Sequence, residues 1–232
     1  MNMHMNSHWQ AYPVPPMRHE AWFGDRIVPA FGQRPGSVWQ LFASSAARTP
    51  HAEAVVCGST RLSYADCSAA ATRLAAGLAA QGIQAGARVL LFIDNRPEFV
   101  LAFLALQRLG AIAVPVGVRE QRPGLAYIAR QCGAAAIIID ADLAERAPRG
   151  DEAPDLRLHI SVGDVPGSAR DTAQGCLPLA ALLACSDAPP ALPAPAEHGV
   201  AVILYTSGTT GHPKGAMLTH ANIAHSVLHY QA

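Results

Sequence analysis

From Val38 onward the order of apolar and polar residues carries two periods, one of helices and one of strands. The segment "VWQLFASSAART" has helical spacing, and "EAVVCGSTRLSY" reads as two short strands joined at Gly58-Ser59. In "SYADCSAAATRLAAGLAAQG", Ser63 is placed to cap a helix with Asp66 at its third position, and Gly82 supplies the left-handed stop. The same grammar then repeats: strand "ARVLLFID", helix "NRPEFVLAFLALQRLG" with Asn95 as its expected cap and Gly110 as its end, strand "AIAVPV", helix "RPGLAYIARQCG", strand "AAAIIID". Strands that are apolar at every position are those covered by helices on both faces. The alternation predicts an α/β fold, a doubly wound and mostly parallel sheet with flanking helices.

Outside that core the pattern weakens. Residues 1–37 hold scattered aromatics, prolines and glycines without a period and are expected to be an irregular arm, where His4 and His8 lack the spacing that would make them metal ligands. Residues 38–185 form the first α/β subdomain, with a variable stretch over 141–176 and a short helix in "LPLAALLA". Residues 186–198 form a Pro- and Ala-rich connector, and residues 199–232 begin a second subdomain with the strand "GVAVILY".

Composition narrows the partners. The 232 residues carry 17 basic and 17 acidic side chains, so no net field gathers nucleic acid or anionic lipid, and a small-molecule partner is expected. The five cysteines form no C-x-x-C pair and suggest reduced thiols in a cytoplasmic protein. The longest apolar runs fall well short of the roughly 20 residues that span a bilayer, so no transmembrane segment is expected.

The chemistry is concentrated in "YTSGTTGHPKGAMLT", residues 205–219. Glycines at 208, 211 and 215 let backbone N–H groups converge on an anion, Thr206, Ser207, Thr209 and Thr210 add hydroxyl donors, and Lys214 adds a point charge suited to phosphate. A Walker loop fails twice here: Pro213 stands where its second glycine would be, and Gly215 where its magnesium-binding hydroxyl would be. "AMLTH" also continues as a strand rather than the helix such a loop requires, and no G-x-G-x-x-G is present.

Thr206 to Gly215 instead resemble, at every specified position, the phosphate-binding signature [ST]-S-G-[ST]-T-G-x-P-K-G of the adenylate-forming (AMP-binding) superfamily. "LSYAD" at 62–66 and "LQRLGAIAVPVGVREQRPGLAYI" at 106–128 are similar to earlier elements of the same family, and "GVREQRPG" is more like acyl-CoA synthetases than amino-acid-activating domains. The resemblance implies an acid-thiol ligase that uses ATP and Mg²⁺ to turn a carboxylic acid, fatty or aromatic, into an acyl-adenylate and then passes the acyl group to CoA. It implies that Thr206, Ser207, Gly208, Thr209, Thr210, Gly211 and Gly215 hold the β- and γ-phosphates, and that Lys214 is the catalytic charge there. The family's ribose-binding T-G-D motif and the catalytic lysine of its small C-terminal domain do not occur in these residues, so the chain is expected to be an N-terminal fragment, inactive alone. The alternative is a non-catalytic phosphate- or partner-binding remnant of such an enzyme.

Three other features carry weaker readings. His225 and His229 share a helix face at a spacing that can bind zinc, but Ser226 stands where a metalloprotease needs Glu, so no metal site is assigned. Thr219 reads as a helix cap, and Asn95-Arg96 sit at a strand end where ligands of α/β sheets bind, although capping accounts for Asn95 equally well.

Overall fold

The computed structural model describes residues 16–163, 176–185, 195–206 and 212–231. In chain order the elements are a hairpin of β1 (Met17–Trp22) and β2 (Arg26–Phe31), α1 (Val38–Arg48), a hairpin of β3 (Glu53–Cys57) and β4 (Thr60–Ser63), α2 (Tyr64–Ala80) and β5 (Arg88–Phe92). There follow α3 (Pro97–Leu109), β6 (Ile112–Pro115), α4 (Arg122–Cys132), β7 (Ala134–Asp140), a 3-10 turn (Ala141–Arg146), β8 (Leu158–Val162), β9 (Leu177–Pro178) and α5 (Leu179–Leu183). The last three are β10 (Val200–Thr206), β11 (Lys214–Thr219) and α6 (His220–Gln231).

Seven strands form the central sheet in the order β11-β10-β6-β5-β7-β8-β9, parallel throughout except for the antiparallel pair β10–β11. Successive residues of β5 go to opposite faces: Val89 and Leu91 pack with α2, α3 and α5, and Leu90 and Phe92 with α4. Both faces are therefore apolar, which is why the sequence of these strands shows no polar alternation. This is the doubly wound α/β arrangement expected from the sequence.

Local signals behave as their chemistry requires. Ser63 accepts from the Asp66 N–H at 3.1 Å, and Asp66 accepts from the Ser63 N–H at 2.9 Å, a reciprocal capping box at the start of α2. Gly110 and Gly133 end α3 and α4 with φ of 73° and 61°. The expected cap Asn95 is displaced by one residue: Pro97, with its fixed φ and absent N–H, opens α3 and leaves Arg96 as the N-cap.

Three expectations change. Residues 17–31 of the supposed irregular arm form a β-hairpin whose Trp22, Val28 and Ala30 pack on Ala221 of α6. The Arg34 side chain, 5% exposed, ties it down through an ion pair to Glu20 at 2.6 Å, a second to Glu197, and a position 5.6 Å from the Trp22 ring centroid. Glu197 and Ala221, which hold it in place, are distant in sequence, so no local period announces the hairpin. The variable stretch likewise contains β8, paired in parallel along β7. Strand β10, expected to open a second subdomain, joins β6 at Val202↔Ala113 and so extends the same sheet, while most of the connector lies outside the described residues.

Candidate phosphate-binding site

Strands β10 and β11 bring the two ends of the glycine-rich motif together. In their register Thr206 faces Lys214 and Tyr205 faces Gly215, so the two ends of the motif are paired at the carboxyl end of β10. Directly paired residues point to the same side of a sheet, which sets the Thr206 hydroxyl and the Lys214 ammonium on one face at the mouth of the loop, both exposed. Ser207, Gly208, Thr209, Thr210 and Gly211 lie outside the described residues. Lys214 opens a strand, whereas the lysine of a Walker loop opens a helix.

Gly215 has a packing reason to lack a side chain. A Cβ there would lie 2.8 Å from Ile203 Cγ2 and 3.2 Å from Tyr205 Cζ, because the Tyr205 ring crosses the paired strand at this point. Burial, with Cys132 and Tyr127 adding to it, pushes the Tyr205 hydroxyl up to about 12, so it remains a neutral donor, and it donates to Gln131 Oε1 of α4. Tyr127 of the same helix stacks on His212 at 5.3 Å and donates to the Pro213 carbonyl at 3.3 Å. The sequence reading missed Tyr127, Gln131 and Tyr205. The available signal was the four-residue spacing of the first two on one helix face.

The remaining candidates each have partners within the fold. Thr219 caps α6, accepting from the Asn222 N–H at 3.1 Å while its own N–H donates to Asn222 Oδ1 at 3.0 Å. His225 and His229 rings each lie 4.8 Å from the Phe31 ring and 4.6 Å from one another, packed under the N-terminal hairpin. At the carboxyl ends of β5 and β7, Asp94, Asn95, Arg96 and Asp140 line an open cavity of about 600 Å³. Among the described residues that line it, the cation Arg96 is committed: it binds Asp140 and Glu98, both at 2.9 Å, and Asp140 also accepts from the Asp94 N–H at 2.7 Å. No helix among the described residues is long and apolar enough to cross a membrane.

Comparison with known proteins places these features in a family. The profile of AMP-binding enzymes matches residues 42–232. The chain is 31% identical over 206 residues to an isonitrile lipopeptide synthase of Mycobacterium tuberculosis, covering 89% of this chain and 7% of that protein. It is 35% identical over 175 residues to a feruloyl-CoA synthase of an Amycolatopsis species, covering 75% and 32%. Among solved structures, Mycobacterium smegmatis MbtA in its apo form superposes with a TM-score of 0.71 at 29% identity, over 82% of this chain and 35% of that one. The chain thus spans a third or less of the length of these two curated relatives. A hairpin that closes a glycine- and hydroxyl-rich loop on a lysine, set on this sheet and matched over this length, makes the chain a member of the AMP-binding enzyme family, corresponding to an N-terminal part of its fold.

Proposed function

We propose that this chain supplies the triphosphate-binding part of an ATP-dependent, AMP-forming ligase. The enzyme activates a carboxylic acid, fatty or aromatic, as an acyl-adenylate and passes the acyl group to a thiol, that of CoA, in the cytoplasm. The observation that carries the reading is the Thr206–Lys214 pair, which sets a hydroxyl and an ammonium side by side at the mouth of a loop. From Tyr205 to Thr219 there is no acidic side chain, so the donor set fits a polyanion.

In this reading the substrate carboxylate attacks the α-phosphorus of ATP, the bond to the pyrophosphate oxygen breaks, and the electron pair leaves with pyrophosphate. Lys214 and the loop hydroxyls Thr206, Ser207, Thr209 and Thr210, with the N–H groups of Gly208, Gly211 and Gly215, stabilise the charge growing on that leaving group. Donors fixed in advance act without reorganisation at the moment of reaction. Mg²⁺ bound to the triphosphate would neutralise part of the same charge. The acyl acceptor separates two readings: one relative is a CoA synthase and another a lipopeptide synthase, which favours a carrier thiol as the alternative to CoA.

Carboxylate-dependent exchange of pyrophosphate into ATP tests the assignment. In the ligase that contains this chain, Lys214→Ala is expected to slow exchange by on the order of 10²-fold. The 232-residue chain alone is expected to show none. Unchanged exchange in the lysine variant would remove Lys214 from the chemistry, and a panel of fatty and aromatic acids on the same assay identifies the acid.

A further inference from the structure

We infer that helix α4 positions the phosphate loop, with Tyr127 and Gln131 holding its two stems from one helix face; the inference rests on reading the loop as a triphosphate site. The hairpin needs such support. Strand β10 meets β6 at Val202↔Ala113, and the last residue of β6 is Pro115, which has no N–H to extend the ladder toward the loop. On its other side β11 is the edge of the sheet. The stems beyond Val202 therefore project past the parallel ladder, and as a free two-stranded ribbon they would have to be ordered at the moment of binding.

Helix α4 supplies the missing contact at both stems. Tyr127 reaches the exit stem, stacking on His212 at an interplanar angle of 20° and donating to the Pro213 carbonyl, the residue immediately before Lys214. Gln131, one helical turn on, accepts from Tyr205 in the entry stem, immediately before Thr206. The Tyr205 ring in turn lies over Gly215, so the entry stem is locked across the exit stem. The helix is itself fixed, with Leu125, Ile128 and Ala129 buried against Ile137 and Ile139 of β7 and neighbouring residues.

The brace does not compete with the ligand. Ile203 and Tyr205 point to the α4 side of the sheet, so strand alternation sends Thr206 and its partner Lys214 to the opposite side. Tyr127 and Gln131 therefore act through Pro213 and Tyr205 as positioning residues, not as phosphate ligands.

Calorimetric titration of the 232-residue chain with inorganic tripolyphosphate, well below each variant's melting temperature, tests this. The wild type is expected to bind and Lys214→Ala to lose binding. Tyr127→Ala and Gln131→Ala are expected to weaken it by about five- to tenfold, with Tyr127→Phe, which keeps the stack but not the Pro213 bond, in between. A merely structural role for Tyr127 would lower the melting temperature and leave the affinity of the folded protein unchanged. If Lys214→Ala abolishes binding while Gln131→Ala and Tyr127→Phe bind like wild type, the positioning role is wrong and the phosphate site stands. If the wild type does not bind tripolyphosphate, the site and its brace both fall.

Discussion

Gly215 has two claims on it, one from the phosphate signature and one from the Tyr205 ring and Ile203 lying where its side chain would be. The second claim can be tested on its own. In Gly215→Ala the new methyl at 2.8 Å from Ile203 Cγ2 must push that side chain or the Tyr205 ring aside, and moving the ring breaks its bond to Gln131. The variant is expected to lose about 1–3 kcal/mol of stability, read from urea unfolding. A wild-type midpoint would show that the pocket yields without strain. Tyr127 is a different case, because its type and helix position are visible in the sequence and its partner is not: His212 lies 85 residues further on.

At the level of elements, helix ends follow local chemistry. Ser63 and Asp66 form the expected box, and the hydrogen bonds from Ser63 hold the Asp66 carboxyl below its ordinary value. Ser63→Ala is expected to lower stability by about 1 kcal/mol in thermal or urea unfolding, because it leaves the Asp66 N–H without its partner. An unchanged midpoint would mean that water caps α2 equally well. The start of α3 shows the limit of such reading: Asn95 and Arg96 both precede the helix, and the proline two residues after Asn95 decides which of them is the cap. Strand β8 and the β1–β2 hairpin went unseen for a related reason. Their residues alternate weakly and gain their burial from β7 and from α6, respectively.

For the molecule as a whole, three histidines carry the pH dependence expected just below neutrality. Burial holds His220, His159 and His225 below their ordinary value, in His225 with help from His229 and Arg34. His220 is kept neutral for a reason: its Nδ1 accepts from the Val38 N–H at 3.3 Å, joining α6 to the start of α1. Because the unfolded chain takes up these protons first, their contribution is complete above about pH 6.5 and is lost as pH falls through the lower folded values. The melting temperature is therefore expected to fall between about pH 7 and pH 5, and substituting His220 and His159 by Gln should flatten that slope. Glu20 adds nothing to that slope: Arg34 holds its carboxyl well below the carboxylate range, so this ion pair is intact across the whole interval and loses its contribution only in stronger acid. A pH-independent melting temperature over that interval would mean the histidines titrate alike folded and unfolded.

The sequence by itself determined the alternation of strands and helices, the parallel sheet, the capping of α2 and the set of donors the loop carries. Each depends on residues close together in the chain, through period, cap or donor spacing. Only the tertiary structure decided that β10 joins β6, that the N-terminal segment folds as a hairpin on α6, and that α4 reaches both stems of the loop. Those contacts pair residues distant in sequence, and what selects them is the fit of buried surfaces and the satisfaction of polar groups, neither of which leaves a local period.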